Sequence, residues 1–258
     1  MPGLLHLSSF SNTTLNYFKN NLDTSILKLF KTIMSLPKFL HLPIWTILIT
    51  AFWANMQIQA ADPTRFAKQI DTWGAQDAQN PPPKGLSLFI GSSSIRMWST
   101  LSKDFPELTT LNRGFGGSWT QDVLHYYDRI VKPYEPSKII FYCGENDIAG
   151  GEAPQVPFKN FKIFVNRVRQ AKPCTEIYYI PMKPSPKRWN LWAKYEEGNQ
   201  RIRSFCEKNN IHYLHTIPQK MLKKDGTPNP DIFIKDKLHM NAKGYKIWAE
   251  EIHKALKK

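Results

Sequence analysis

Hydrophobic and polar positions along the chain follow two alternating rhythms. Five short stretches, 86–90 (LSLFI), 109–112, 138–142 (KIIFY), 176–180 and 211–214, are compact and apolar-rich. Such runs fit strands buried on both faces. Between them, apolar residues recur at helical spacing over 95–105, 120–131, 158–170, 191–208 and 242–256. Val123, Leu124, Tyr127, Ile130 and Val131 mark the second of these, and Phe161, Phe164, Val165 and Val168 form one stripe of the third. Asn241 stands where it can cap the last. Strands alternating with helices imply right-handed crossovers and a parallel sheet covered on both sides. The expected class is therefore α/β: a three-layer α/β/α sandwich around a five-stranded parallel, flavodoxin-like sheet. Ligands of such sheets bind beyond the carboxyl ends of the strands.

The rhythm is absent upstream. Residues 62–84 read as a lead-in, with a short helical stretch near 66–70 and a stiff Pro81-Pro82-Pro83 spacer. Residues 34–61 run from Met34 through Lys38 and an apolar stretch over 42–56 to Ala60 and Ala61. That order is the pattern of a secretory signal peptide, and the apolar stretch is shorter than the roughly 20 residues that span a bilayer. The expectation is a secreted or periplasmic protein with no stable membrane insertion once the peptide is cleaved; an uncleaved anchor is the alternative. Residues 1–33 precede Met34, the expected translation start, and read as a gene-model extension. The main domain is expected over 85–258.

Composition narrows the partners. The chain carries a formal net charge of +14, yet its lysines are scattered and form no long basic block. This suits a solubilising surface, and no nucleic-acid motif accompanies it. Cys143, Cys174 and Cys206 form no CxxC pair, which argues against a metal knuckle. Cys143 falls in a buried strand, and a Cys174–Cys206 bridge is conceivable in an oxidising compartment.

Four short blocks follow predicted strands or close the chain. Gly91-Ser92-Ser93-Ser94-Ile95 places serines at a strand-to-helix turn, where a helix N-terminus favours developing negative charge. Ile95 occupies the last glycine position of a GxSxG elbow, so this is not the ordinary α/β-hydrolase turn. Asn112-Arg113-Gly114-Phe115-Gly116-Gly117-Ser118 offers glycines that can present a backbone N–H. Gly144-Glu145-Asn146-Asp147 supplies an amide able to donate to an oxyanion; its acidic residues lack the matching cluster that a metal would need. Asp236-Lys237-Leu238-His239 sets a carboxylate three residues before an imidazole, close enough to fix its tautomer. Each block alone is an ordinary turn. Together they bring a hydroxyl, two oxyanion donors and an Asp–His pair to one sheet edge.

In these four blocks, over about residues 85–256, the chain resembles the SGNH (GDSL-like) hydrolases, in the style of the platelet-activating-factor acetylhydrolase-like esterases. The resemblance implies a serine esterase. Ser93 matches the nucleophile, with Asp236 and His239 completing a triad. Ser93, Gly117 (or its neighbour Gly116) and Asn146 match the oxyanion hole. The family's usual first block has an aspartate before the nucleophile, where this chain has Ser92. No metal or organic cofactor is implied. The expected partner is a small-molecule or glycan ester, foremost a short acyl ester on carbohydrate, with no nucleic acid. A lipid or phospholipid ester is the alternative substrate, and a non-catalytic carbohydrate-binding module is the rival on the same scaffold. Arg96 and Trp119 are candidate substrate contacts, as are Trp98, Trp189 and Trp192. His125, His212 and His215 fall in no block and are expected to be structural. The sequence fixes no oligomeric state.

Overall fold

A computed structural model describes residues 62–257. The expected signal peptide at 34–61 and the extension at 1–33 lie outside the described residues. Five strands, β1 (Ser87–Gly91), β2 (Thr110–Gly114), β3 (Lys138–Tyr142), β4 (Glu176–Tyr179) and β5 (His212–Tyr213), form one sheet in the order β2-β1-β3-β4-β5. Every neighbouring pair is parallel. This is the flavodoxin-like arrangement that the alternating pattern predicts.

The sheet separates two apolar layers because side chains alternate along each strand. Leu88, Ile90, Ile139, Phe141, Ile177 and Tyr179 face one layer, and Phe89, Ile140, Tyr142 and Tyr178 face the other. The first layer is closed by helices α1 (Ala67–Gln79), α4 (Thr120–His125), α5 (Tyr127–Ile130), α7 (Gln155–Ala171) and α8 (Trp192–Lys208). The second is filled from α2 (Ser93–Arg96), α3 (Leu101–Asp104), α9 (Thr216–Lys220) and α10 (Ala242–Leu256). Helix α6 (Glu145–Ala149) lies just beyond the end of β3. Among the described residues, no helix is long and apolar enough to cross a membrane.

Several elements depart from the periodic reading. The expected 95–105 helix breaks between α2 and α3. The break tucks Trp98 into the second core, where it stacks on Tyr245 and meets Phe89, Phe105 and Trp248. The Asp104 carboxylate accepts from both the Trp98 indole N–H, at 2.6 Å, and the Thr100 hydroxyl, at 2.7 Å. Trp98 is thus a core residue and not a substrate contact. The 120–131 helix divides at Tyr126. Tyr126 and Tyr127 are both buried in the first layer. Consecutive side chains of a continuous helix project about 100° apart, so a change of direction serves both. Cys174 is exposed, Cys206 is buried in the first core, and both are free thiols, so the conceivable bridge between them is absent.

The lead-in is more structured than its composition suggests. A 3-10 turn, Pro63–Phe66, is capped by Asp62 and feeds α1. Phe66 packs edge-on to Phe115, and Ile70 is buried. Asp77 of α1 accepts from Arg113, at 2.5 Å, and from the Tyr134 hydroxyl, at 2.5 Å. Arg113 also donates to Tyr134 and lies over the Trp73 ring.

Candidate active site

The four blocks meet at the carboxyl edge of the sheet. Gly91 ends β1 with φ +137°, a conformation suited to glycine, and turns the chain into α2. Ser92 is buried. Its N–H donates to the Tyr142 carbonyl, and its own carbonyl accepts from Ile95 and Arg96, so the backbone alone closes this turn. Ser93 follows as the first residue of α2, where a backbone N–H has no partner within the helix. Tyr245 of α10 donates to the Ser94 carbonyl at 2.9 Å and pins the turn from the other side.

The Asp–His block hangs on the loop before α10. Asn241 caps that helix through Lys243 and Gly244, as the sequence predicts. Lys237 adopts φ +59°, and the tight turn folds Asp236 back on His239. One carboxylate oxygen accepts the backbone N–H groups of Leu238 and His239, both at 2.9 Å. The other stands 2.5 Å from His239 Nδ1. His239 Nε2 lies 2.8 Å from Ser93 Oγ, across 146 residues of sequence. Burial acts to raise the Asp236 carboxyl. The His239 imidazole and the two N–H groups outweigh it and hold the group down to about 2. Asp236 is therefore an acceptor at any ordinary pH.

The glycine block packs beside this line. Asn112 donates to the Ile95 carbonyl at 2.7 Å and accepts from Gly114 N–H, tying β2 to α2. Phe115 N–H and the Ser118 hydroxyl both reach the Gly91 carbonyl, which anchors the intervening loop to the end of β1. Gly117 has φ +80° with open space around its missing side chain. Asn146, in the first turn of α6, donates from Nδ2 to the Ser118 carbonyl at 3.0 Å, leaving its second N–H uncommitted by that bond. The structure thus brings Ser93, Asp236, His239, the glycine loop and Asn146 to one rim.

The candidate substrate contacts divide. Arg96 is exposed, and its guanidinium lies against Gly116, where a side chain would collide with it. Trp119 is half-buried with its ring over Gly150, at the end of α6. Trp189 and Trp192 are half-buried and stacked on one another, with centroids 5.9 Å apart. His125 packs edge-on to Tyr126, and His212 stacks on Tyr178. The backbone N–H of His215 donates to the Tyr213 carbonyl.

A group that the sequence reading passes over lies beneath Asn146. Lys183, fully buried, places Nζ 3.0 and 3.2 Å from the two oxygens of buried Glu145 and 3.1 Å from the Tyr142 hydroxyl. Arg188 donates to Asn146 Oδ1 at 3.0 Å and stands 4.0 Å from Glu145. Burial acts to raise the Glu145 carboxyl, but Lys183 and Arg188 overcome it and hold the group below its ordinary value. The available signal was positional. Lys183-Pro184-Ser185-Pro186 follows β4, so it reaches the same sheet edge as the four blocks. Among the described residues, no group of three or more His, Cys, Asp or Glu side chains is placed to hold a metal.

Asp147, next to Asn146, serves the scaffold. It is fully buried and accepts from Thr120 N–H and the Thr120 hydroxyl, capping α4 from outside. Burial raises its carboxyl to about 6 despite those bonds. An unfolded aspartate titrates near 4. Below that value both states hold the proton; above about 6 the folded state carries a buried charge. This group's contribution to stability is therefore highest in acid and declines as pH rises from about 4 to about 6, by something of the order of 3 kcal/mol. Asp147→Asn is expected to flatten that part of the curve, read from urea midpoints at pH 4.5 and 7. An unchanged slope would contradict the assignment.

The GDSL-like Lipase/Acylhydrolase family model matches residues 85–247, more than half of the chain. No curated protein matches significantly. Solved structures share the fold. A GDSL-like lipase from Bacteroides thetaiotaomicron is 21% identical, with 77% of this chain and 98% of that one aligned and a TM-score of 0.63. A protein from Streptococcus pneumonia, provisionally described as a platelet activating factor, is 19% identical over 83% of this chain and 99% of its own, with a TM-score of 0.65. An acetylxylan esterase from Geobacillus stearothermophilus is 14% identical over 67% and 94%, with a TM-score of 0.54. Through the family match, which spans all four blocks, the chain belongs to the GDSL-like lipases and acylhydrolases.

Proposed function

We propose that the chain is a serine esterase that cleaves carboxylic esters through an acyl-enzyme on Ser93, with short acyl groups on carbohydrate as its leading substrate class and the cell exterior or periplasm as its site of action. The observation that carries this reading is the unbroken line from Ser93 Oγ to His239 Nε2, at 2.8 Å, and from His239 Nδ1 to Asp236, at 2.5 Å.

His239 takes the proton from Ser93 Oγ as the oxygen attacks the ester carbonyl. Asp236 fixes the proton on Nδ1 and stabilises the imidazolium that forms. The oxyanion is met by the N–H groups of Ser93 and Gly117 and by the second N–H of Asn146. His239 then hands its proton to the leaving alcohol. Water, activated by the same imidazole, attacks the acyl-enzyme and releases the acid and the free serine. No step calls on a metal or organic cofactor.

Two observations favour a carbohydrate ester. A similarly folded neighbour is an acetylxylan esterase. Half-buried Trp119, Trp189 and Trp192 also lie on segments beside the rim, and indole faces suit sugar rings. Arg96 supplies a further contact for the alcohol portion. The test has two parts. A fluorophosphonate probe is expected to label Ser93 and to spare Ser93→Ala, whereas a binding module without an activated serine would take no label. A panel of acetylated oligosaccharides, aryl acetates and lipid esters is expected to give its highest kcat/KM on the acetylated sugars. A preference for long-chain lipid esters would overturn the substrate assignment and leave the nucleophile standing.

A further inference from the structure

We infer that Arg188 is a positioning residue for this reaction: by donating to Asn146 Oδ1 it holds the amide with Nδ2 toward the oxyanion. The inference rests on Asn146 being an oxyanion donor.

An asparagine amide can present either end to a site, and only Nδ2 is useful to an anion. Here both ends are held. Nδ2 donates to the Ser118 carbonyl at 3.0 Å, and Oδ1 accepts from Arg188 Nη2 at 3.0 Å. A cation on Oδ1 also polarises the amide, so the remaining N–H becomes a stronger donor. The position of Arg188 is itself built. Its segment, Pro186–Leu191, is a kinked 3-10 turn beginning with a proline. Lys187 N–H donates to the Lys237 carbonyl at 3.0 Å, joining this segment to the turn between Asp236 and His239. Arg188 is one-fifth exposed, so its charge is partly sheltered from solvent.

The charges under the site favour the same role. Glu145 is shared by Lys183, at 3.0 Å, and Arg188, at 4.0 Å. Lys183 also feels the Asp236 carboxylate, so two carboxylates face the two cations, and the Arg188 charge reaches the site through the Asn146 amide it bonds. In the tetrahedral state His239 becomes cationic and is matched by Asp236. The oxyanion is then the new unmatched charge, and Arg188 answers it through the Asn146 amide, whose free N–H it polarises. An interaction of this kind strengthens only as negative charge develops, so it acts on turnover and not on ground-state binding.

The test is a double-mutant cycle of Arg188→Ala and Asn146→Ala on p-nitrophenyl acetate, with Arg188→Lys as the conservative variant. Asn146→Ala alone is expected to lower kcat by about 10²–10³-fold, the usual loss for one oxyanion donor. Arg188→Ala is expected to lower kcat by about 10–100-fold, short of that loss, with KM nearly unchanged. Adding it to Asn146→Ala is expected to cost little more, because its effect passes through that amide. Arg188→Lys is expected to recover part of kcat. A full additional loss on the Asn146→Ala background, or an effect confined to KM, would overturn the inference.

A second readout needs no turnover. The Asn146 side-chain NH₂ signals in a ¹⁵N–¹H spectrum are expected to be well separated in the wild type, to move and converge in Arg188→Ala, and to be largely retained in Arg188→Lys. Unchanged signals in Arg188→Ala would also overturn it. Failure of the esterase reading would look different: the wild type itself would neither turn over esters nor take the fluorophosphonate label.

Discussion

Ser93→Ala is expected to lower turnover of p-nitrophenyl acetate by at least about 10⁴-fold while leaving the fold intact. Removing the nucleophile of a serine triad removes covalent catalysis entirely, and the residue that remains is what the oxyanion donors can do for water. The stability side of the expectation follows from position. Ser93 begins α2, but the preceding Ser92 is its N-cap, and the turn is closed by backbone bonds from Ile95 and Arg96. Alanine is a good helix residue and leaves those bonds untouched. The one side-chain partner lost is His239, which keeps its bond to Asp236. Initial rates from a carefully repurified mutant, with a urea melt alongside, check both halves. Activity within tenfold of wild type would remove Ser93 from the reaction.

Gly91→Ala is the larger test of the fold, with an expected loss above about 4 kcal/mol and little soluble native protein. Two penalties coincide there. At φ +137° an L-residue is strained whatever surrounds it, and the new methyl would overlap the carbonyl of Tyr142 on the neighbouring strand. Relief requires β1 and β3 to separate at the centre of the sheet. The Gly91 carbonyl also anchors Phe115 and Ser118, so the glycine loop would move with it. Gly117→Ala is the control. Its φ is +80° but open space lies where the methyl would go, so only the backbone penalty of about 1–2 kcal/mol applies. Urea melts of the two variants separate crowding from conformation. Equal losses would show that the contact with Tyr142 is not what makes Gly91 indispensable.

Much of the architecture was legible because both faces of the sheet are buried. That condition writes compact apolar-rich runs such as LSLFI and KIIFY, and the helices between them show one apolar stripe each. Breaks inside helices were not legible. Nothing in the apolar spacing of 95–105 announces that one aspartate will draw both Trp98 and Thr100 toward it, since that depends on where Asp104 points after folding. The lead-in was underestimated for a related reason. Its helix carries few apolar residues, and its hold on the domain is partly an ion pair between Asp77 and Arg113. At the rim, the blocks were readable since each follows a strand or a turn with distinctive chemistry. Lys183 and Arg188 were not, because charged residues in a proline-rich loop normally face water, and only the folded chain reveals Glu145 beneath them.

Asp236 and His239 occupy a single four-residue bend, and their mutual contacts are all local: two backbone amides and one ring nitrogen on the same carboxylate. Among the described residues, one hydrogen bond, from the Ser93 hydroxyl to the imidazole Nε2, bridges them to the serine. Any sway of the segment before α10 therefore carries proton acceptor and counter-charge as one body. Tautomer choice survives such a sway; contact with the serine does not. The separation between imidazole and hydroxyl is consequently set by how the bend is seated, through Asn241 and Tyr245 on the last helix and through the Lys187–Lys237 bond to the loop after β4, while the orientation of the imidazole is settled within the bend itself.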